Sequence, residues 1–282
     1  MLPLPRCVKR IRIATAGLVL GLAVSAAAED SHVRARLVSD LETPTPGATF
    51  RVGVVLEPEP GWHVYWRNPG GAGLTTEVDL ELPAGYGIGD LEWPAPVRFT
   101  QPGGIIGYGY KEPVLLAAEV RAPAHAGAAL PVTAKASWLA CKDVCVLGSA
   151  ELAAELPLAG ESGEAARSAF AGWRDRLPRP ARPGEVSVSV TGGPLPVSGS
   201  AELTVWLSWA EPPGAVEVFP DPGRGLKVED VRTRSRDTLT RIDLTANRLA
   251  GSSRPASTLP VVVVRTDGEG RRTALDLDID LD

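Results

Sequence analysis

Cys141 and Cys145 flank Lys142-Asp143-Val144, and the third cysteine of the chain, Cys7, lies in a stretch that reads as a removable leader. In the processed protein the two are therefore each other's candidate partner. Thiols at this spacing suit reversible thiol–disulfide exchange, a structural clip across a hairpin, or a two-thiolate metal site. A bond closing so short a loop removes little entropy from the unfolded chain, placing its stabilisation at the low end of ~2–4 kcal/mol. Stability alone is a weak reason for such a bond, whereas a strained and accessible disulfide is easily reduced. The metal reading has few further ligands to draw on, since the imidazoles are those of His32, His63 and His125.

The flanks describe how the pair is held. From Leu130 to Ala140, Val132, Ala134, Ala136 and Trp138 share one parity, opposite Thr133, Lys135 and Ser137, which is the alternation of a half-buried strand. After the pair, Val146, Ala150, Leu152 and Leu156 alternate with Ser149, Glu151 and Glu155. Two antiparallel strands joined by a three-residue loop would bring the cysteine Cα atoms to roughly 5.5 Å, within disulfide range. Both cysteines fall on the polar parity, so the bond is expected near the surface.

Residues 1–28 read as a secretory leader: Arg6, Lys9, Arg10 and Arg12 precede an apolar run from Ile13 to Val24 that ends in Ser25-Ala26-Ala27-Ala28. A retained anchor is the alternative. No other stretch approaches transmembrane length, and an oxidising compartment would allow the disulfide to form. Removal of the leader changes the balance from 29 basic against 34 acidic residues to 25 against 34, a net −9 that argues against a nucleic-acid partner. With 26 prolines and 30 glycines the chain favours short strands and turns. The expectation is all-β: two immunoglobulin-like β-sandwiches, 29–159 and 184–282, joined by a short helix and Pro-rich linker over 160–183. Ala166, Phe170, Trp173 and Leu177 give the helical spacing before Pro178, Pro180 and Pro183 end it. The second sandwich holds no cysteine or histidine and is expected to be a spacer or docking module.

Four stretches together resemble the amino-terminal periplasmic domain of the thiol:disulfide interchange protein DsbD, in its ScsB-like branch. They are Gly61-Trp62-His63-Val64-Tyr65-Trp66-Arg67-Asn68-Pro69-Gly70, Trp93-Pro94-Ala95-Pro96, Gly107-Tyr108-Gly109-Tyr110, and Trp138-Leu139-Ala140-Cys141-Lys142-Asp143-Val144-Cys145. The resemblance implies an immunoglobulin-like domain that takes electrons from a membrane-embedded donor and reduces periplasmic thioredoxin-like or disulfide-containing proteins, with no bound cofactor. It implies that Cys145 forms the mixed disulfide and Cys141 resolves it. It also implies a cap over the pair, at Ile105, Ile106, Gly107, Tyr108, Gly109 and Tyr110. The family's best-known cap has an aromatic immediately before a Tyr-Gly pair, where this chain has Gly107. A glycine-rich hairpin whose tyrosines pack on the core is the other reading of that stretch.

His63 and Tyr65 are placed beside the cysteines by the same resemblance, with His63 either ordinary structure or a proton-exchanging imidazole. Lys142 and Asp143 nearly balance each other's charge next to the pair. Trp62, Trp66, Trp93 and Trp138 read as sandwich core. Two other functions remain open: a scaffold module with a structural disulfide, and a Cu(I)-handling protein, which the association of ScsB-like systems with copper tolerance suggests.

Overall fold

The computed structural model describes residues 25–27, 31–41, 45–125, 129–156, 168–192, 194–196, 199–223, 225–249 and 257–281. Most of the expected leader, and residues 161–167 of the expected helix, lie outside them. Ser25–Ala27, at the end of the expected leader, forms strand β1 and pairs with residues 150–152.

Alternation produces the strands, and the apolar side of each alternation meets in one core. In the first sandwich, β1, β11 (Cys145–Leu156), β10 (Leu130–Cys141) and β5 (Glu77–Glu81) form one sheet. Opposite it lie β2 (Val33–Ser39), β3 (Thr49–Pro58), β9 (Val114–Arg121) and β6 (Gly87–Glu92). A short third sheet, β4 (Val64–Gly70), β8 (Ile106–Tyr110) and β7 (Val97–Thr100), closes one end. Strand β10 shows the cause directly: Leu130, Val132, Ala134, Ala136 and Trp138 are buried while Thr133 and Lys135 face solvent. Trp62, Trp66 and Trp138 are buried in the same core, with Trp93 packed against it.

The helical segment is broken where Gly172 takes φ +70°, leaving a helical turn at 168–170 and α1 (Trp173–Arg176). Trp173 anchors the turn: its ring is buried against Val38, Val55, Leu115 and Ala117, and its Nε1 donates to the Leu115 carbonyl at 3.0 Å. The linker is clamped as well. Arg179–Pro180 is a short strand, β12, running parallel to β19 (Arg272–Asp280), and the Arg179 guanidinium donates two hydrogen bonds of 2.8 Å to the Glu185 carboxylate.

In the second sandwich, β12, β19, β18 (Thr258–Thr266) and β15 (Ala215–Pro220) face β13 (Val186–Thr191), β14 (Gly199–Trp209), β17 (Leu239–Arg248) and β16 (Leu226–Arg236). Strand β18 departs from simple alternation because it is buried on both sides. Val261 and Val263 enter the core of their own domain, whereas Val262 and Val264, with Phe219 and Ala274, pack into the core of the first. Phe219 meets the rings of Tyr108 and Trp66 edge-on, at 5.3 and 6.4 Å between centroids. Around this apolar contact Arg67 pairs with Asp221 at 2.8 Å and Asn68 Nδ2 donates to the Pro220 carbonyl at 2.7 Å.

Candidate functional site

Cys141 ends β10, Cys145 begins β11, and the two face each other as the last registered pair of the hairpin. Their sulfurs are bonded and their Cα atoms lie 4.2 Å apart. Within the loop, the Lys142 N–H donates to the Val144 carbonyl at 3.0 Å. The two sulfur-bearing residues differ sharply in access: Cys145 is exposed and Cys141 is only 2 % exposed. The expectation of a surface disulfide thus holds for Cys145 and fails for Cys141. The reason is tertiary, because the polar face of β10 is open at Thr133 and Lys135 but covered at its end by side chains from β4 and β7.

The cover is built from His63, Tyr65 and Phe99. His63 and Cys141 exchange backbone hydrogen bonds, each N–H to the other's carbonyl at 3.0 Å, so the two side chains leave the sheet on the same side. Tyr65, two residues along, shares that side, and Tyr65, Phe99 and Cys141 form one buried cluster with Val97 and Leu139 packed against it. The His63 and Phe99 rings lie 4.2 Å apart between centroids, and the Tyr65 hydroxyl donates to Gln101 Oε1 at 2.8 Å. Burial raises the Tyr65 pKa, so the phenol stays neutral. Burial, reinforced by the Lys111 ammonium, lowers that of His63 to about 4, so its imidazole is neutral at neutral pH.

The stretch singled out as a cap does something else. Ile106, Tyr108 and Tyr110 turn to the core side of β8: Tyr110 donates to the Pro94 carbonyl at 2.7 Å, and Tyr108 carries Phe219 of the second sandwich. Ile105 is exposed beside Gly71. Gly107 and Gly109 face the site side but have no side chain to offer. Gly107 is registered opposite Phe99, and a Cβ there would fall 2.4 Å from the Phe99 ring. The ring therefore occupies the space that a side chain at 107 would need. An aromatic does cover the buried sulfur, but it comes from the neighbouring strand.

Lys142 and Asp143 are both exposed in the loop, and the Lys142 side chain lies over the Gly61 turn. Phe99 and Gln101 are the site residues that the sequence reading missed. Their signal was the alternation of Val97, Phe99 and Gln101, hidden by the prolines at 94, 96 and 102. Also unread were Val144 and Leu147, 63 % and 72 % exposed, which leave apolar surface on both sides of Cys145.

The fold and site together define a disulfide carried at the end of an immunoglobulin-like sandwich, one cysteine shielded by aromatic rings and the other open to solvent. Residues 34–157 match the family described as the N-terminal domain of thiol:disulfide interchange protein DsbD. Among solved structures, the chain is similar to the N-terminal periplasmic domain of ScsB from Proteus mirabilis, with a TM-score of 0.66 and 19 % identity over 92 % of this chain and 98 % of that one. At that identity the likeness speaks for the fold, and it extends over both sandwiches. A comparison with curated proteins found no match. No helix among the described residues is long and apolar enough to cross a membrane.

Proposed function

We propose that the protein carries reducing equivalents by thiol–disulfide exchange at Cys141 and Cys145, working in the periplasm between a membrane-embedded DsbD-like donor and periplasmic thioredoxin-like or disulfide-containing proteins. The observation that carries this reading is the unequal access to the two sulfurs. An incoming thiolate needs a line of approach to one sulfur and a leaving group on the other. Cys145 supplies the approach, and Cys141, held against His63, Tyr65 and Phe99, is the group that leaves and returns. In the reduced protein the order reverses: the Cys145 thiolate attacks the partner's disulfide, and Cys141 then attacks Cys145 and frees the partner as a dithiol. The exchange needs no bound cofactor, because the two electrons are held by the reduced pair of thiols and pass to the partner as the Cys141–Cys145 bond forms. The match of residues 34–157 to the DsbD amino-terminal family supports the same chemistry.

The test is the reduction potential of the pair in glutathione and dithiothreitol buffers, followed by partner trapping. A potential of roughly −120 to −270 mV is expected for a relay, and a value below about −300 mV would mark a structural clip instead. Cys145→Ser should abolish transfer, whereas Cys141→Ser should accumulate a mixed disulfide through Cys145. Full transfer activity in the Cys145→Ser variant would overturn the proposal.

A further inference from the structure

His63 is 8 % exposed, and its Nε2 is buried without a hydrogen-bond partner among the described residues. A buried polar nitrogen left unpaired costs about 1–3 kcal/mol, so a partner in another state of the protein is the natural place to look. The backbone identifies one. His63 and Cys141 are the directly opposed, mutually hydrogen-bonded residues where β4 meets the end of β10. In such a pair the Cβ atoms lie roughly 4.5–5.5 Å apart on the same face, within reach for an imidazole and a sulfur. In the disulfide the sulfur has no proton to give. After reduction it does.

We propose that His63 is the proton partner of Cys141: in the reduced protein the Cys141 thiol donates to His63 Nε2, and the imidazole receives that proton when Cys141 attacks. The inference rests on the exchange reading above and adds the route of one proton. In the resolving step the Cys141–Cys145 bond forms, the bond between Cys145 and the partner sulfur breaks, and the partner sulfur leaves as a thiolate. The Cys141 proton goes to Nε2 and from there, directly or through solvent, to the departing thiolate, so protons and electrons balance. When the disulfide is reduced, Cys141 leaves as a thiolate and its proton returns from solvent through Nε2. The groups facing the imidazole keep it neutral at rest, free to accept a hydrogen bond from the thiol, and make the imidazolium formed on transfer short-lived, so the proton passes on to the departing thiolate. Tyr65 is a neutral phenol on the same strand, Phe99 is apolar on β7, and Lys111, beyond β8, carries the positive charge that disfavours a resting imidazolium.

The decisive experiment follows the three histidine imidazoles of the purified protein by NMR from acid to alkaline pH, oxidised and reduced. Oxidised His63 should show one acid step; reduced His63 should gain a second, alkaline step shared with the thiol, as coupled sites do, and Cys141→Ser should abolish it. In parallel, His63→Phe removes the nitrogen while retaining a ring, and should shift the thiol–disulfide equilibrium toward the disulfide by about tenfold, a potential ~30 mV more negative. Identical His63 titrations in both redox states would overturn the proposal without need of a variant. So would a His63→Phe protein that folds and keeps the original potential. Failure of the exchange reading itself would look different: the unsubstituted protein would then have a potential below about −300 mV.

Discussion

Phe99→Ala should expose the buried sulfur while leaving the hairpin intact. The ring is 6 % exposed, packs with Tyr65 and Cys141, lies 4.2 Å from the His63 ring and carries the Lys111 ammonium 5.6 Å from its centroid. Burying a phenylalanine side chain is worth about 1.5–3 kcal/mol, and its truncation in a packed core costs ~3–5 kcal/mol once the cavity is included. Strand β7 lies at the edge of its sheet and can relax, which places the expected loss of stability near 3 kcal/mol. If a reagent reaches Cys141 by displacing this ring, removing the ring also removes the burial cost of about 1.5–3 kcal/mol from each opening, an acceleration of about 10- to 100-fold. The assay is alkylation of Cys141 by iodoacetamide in the reduced Cys145→Ser background, with and without Phe99→Ala, followed by mass spectrometry. Rates measured across pH separate access from any change in thiol pKa, because only the thiolate reacts. An unchanged plateau rate in a variant whose stability has dropped would refute the assignment of Phe99 as the cover.

Three further outcomes are expected. Gly107→Ala should push the Phe99 ring aside, cost about 1–3 kcal/mol by overpacking, and accelerate Cys141 alkylation in the same direction as Phe99→Ala; a protein of unchanged stability and reactivity would count against the close approach at 107. Phe219→Ala, which empties a fully buried position between Trp66 and Tyr108, should cost ~3–5 kcal/mol and weaken the coupling of the two sandwiches, so that calorimetry resolves two transitions instead of one. Between pH 6.5 and 4 the unfolded protein holds a proton on residue 63 that the folded oxidised protein does not, so stability falls as pH falls through this window, by at most about 1.4 kcal/mol per pH unit from this group. Urea denaturation of the native protein and the His63→Phe variant over that range should show the difference in slope, and parallel curves would contradict it.

Much of the strand framework was legible in the chain. Strands β10 and β11 alternate with period two over long runs. Four strands were not: Ser25–Ala27 was read as leader and Arg179–Pro180 as linker, and two more lie in the first sandwich. Val97–Thr100 and Ile106–Tyr110 are short, lie among prolines and glycines, and carry apolar groups whose partners are far away in sequence. Strand β8 was instead read as a cap or a glycine-rich hairpin, and the packing of Tyr108 and Tyr110 on the core agrees with the second of these. One signal of the domain contact stood in plain view: Val261-Val262-Val263-Val264 is an unbroken apolar run among alternating strands, as a strand buried on both faces requires.

The sequence by itself made Cys141 and Cys145 each other's candidate partners at the end of a hairpin, and marked two β-sandwiches following one another along the chain. These features are local: they depend on spacing of three residues, on alternation, and on the turn chemistry of glycine and proline. Only the tertiary structure decided which sulfur is open and which is shielded, because the shield is assembled from strands β4 and β7, more than 40 residues upstream of Cys141. It likewise decided that Tyr108 supports the second sandwich rather than covering the disulfide. In a strand the side of the sheet follows from parity, but what lies on that side follows from packing between distant segments.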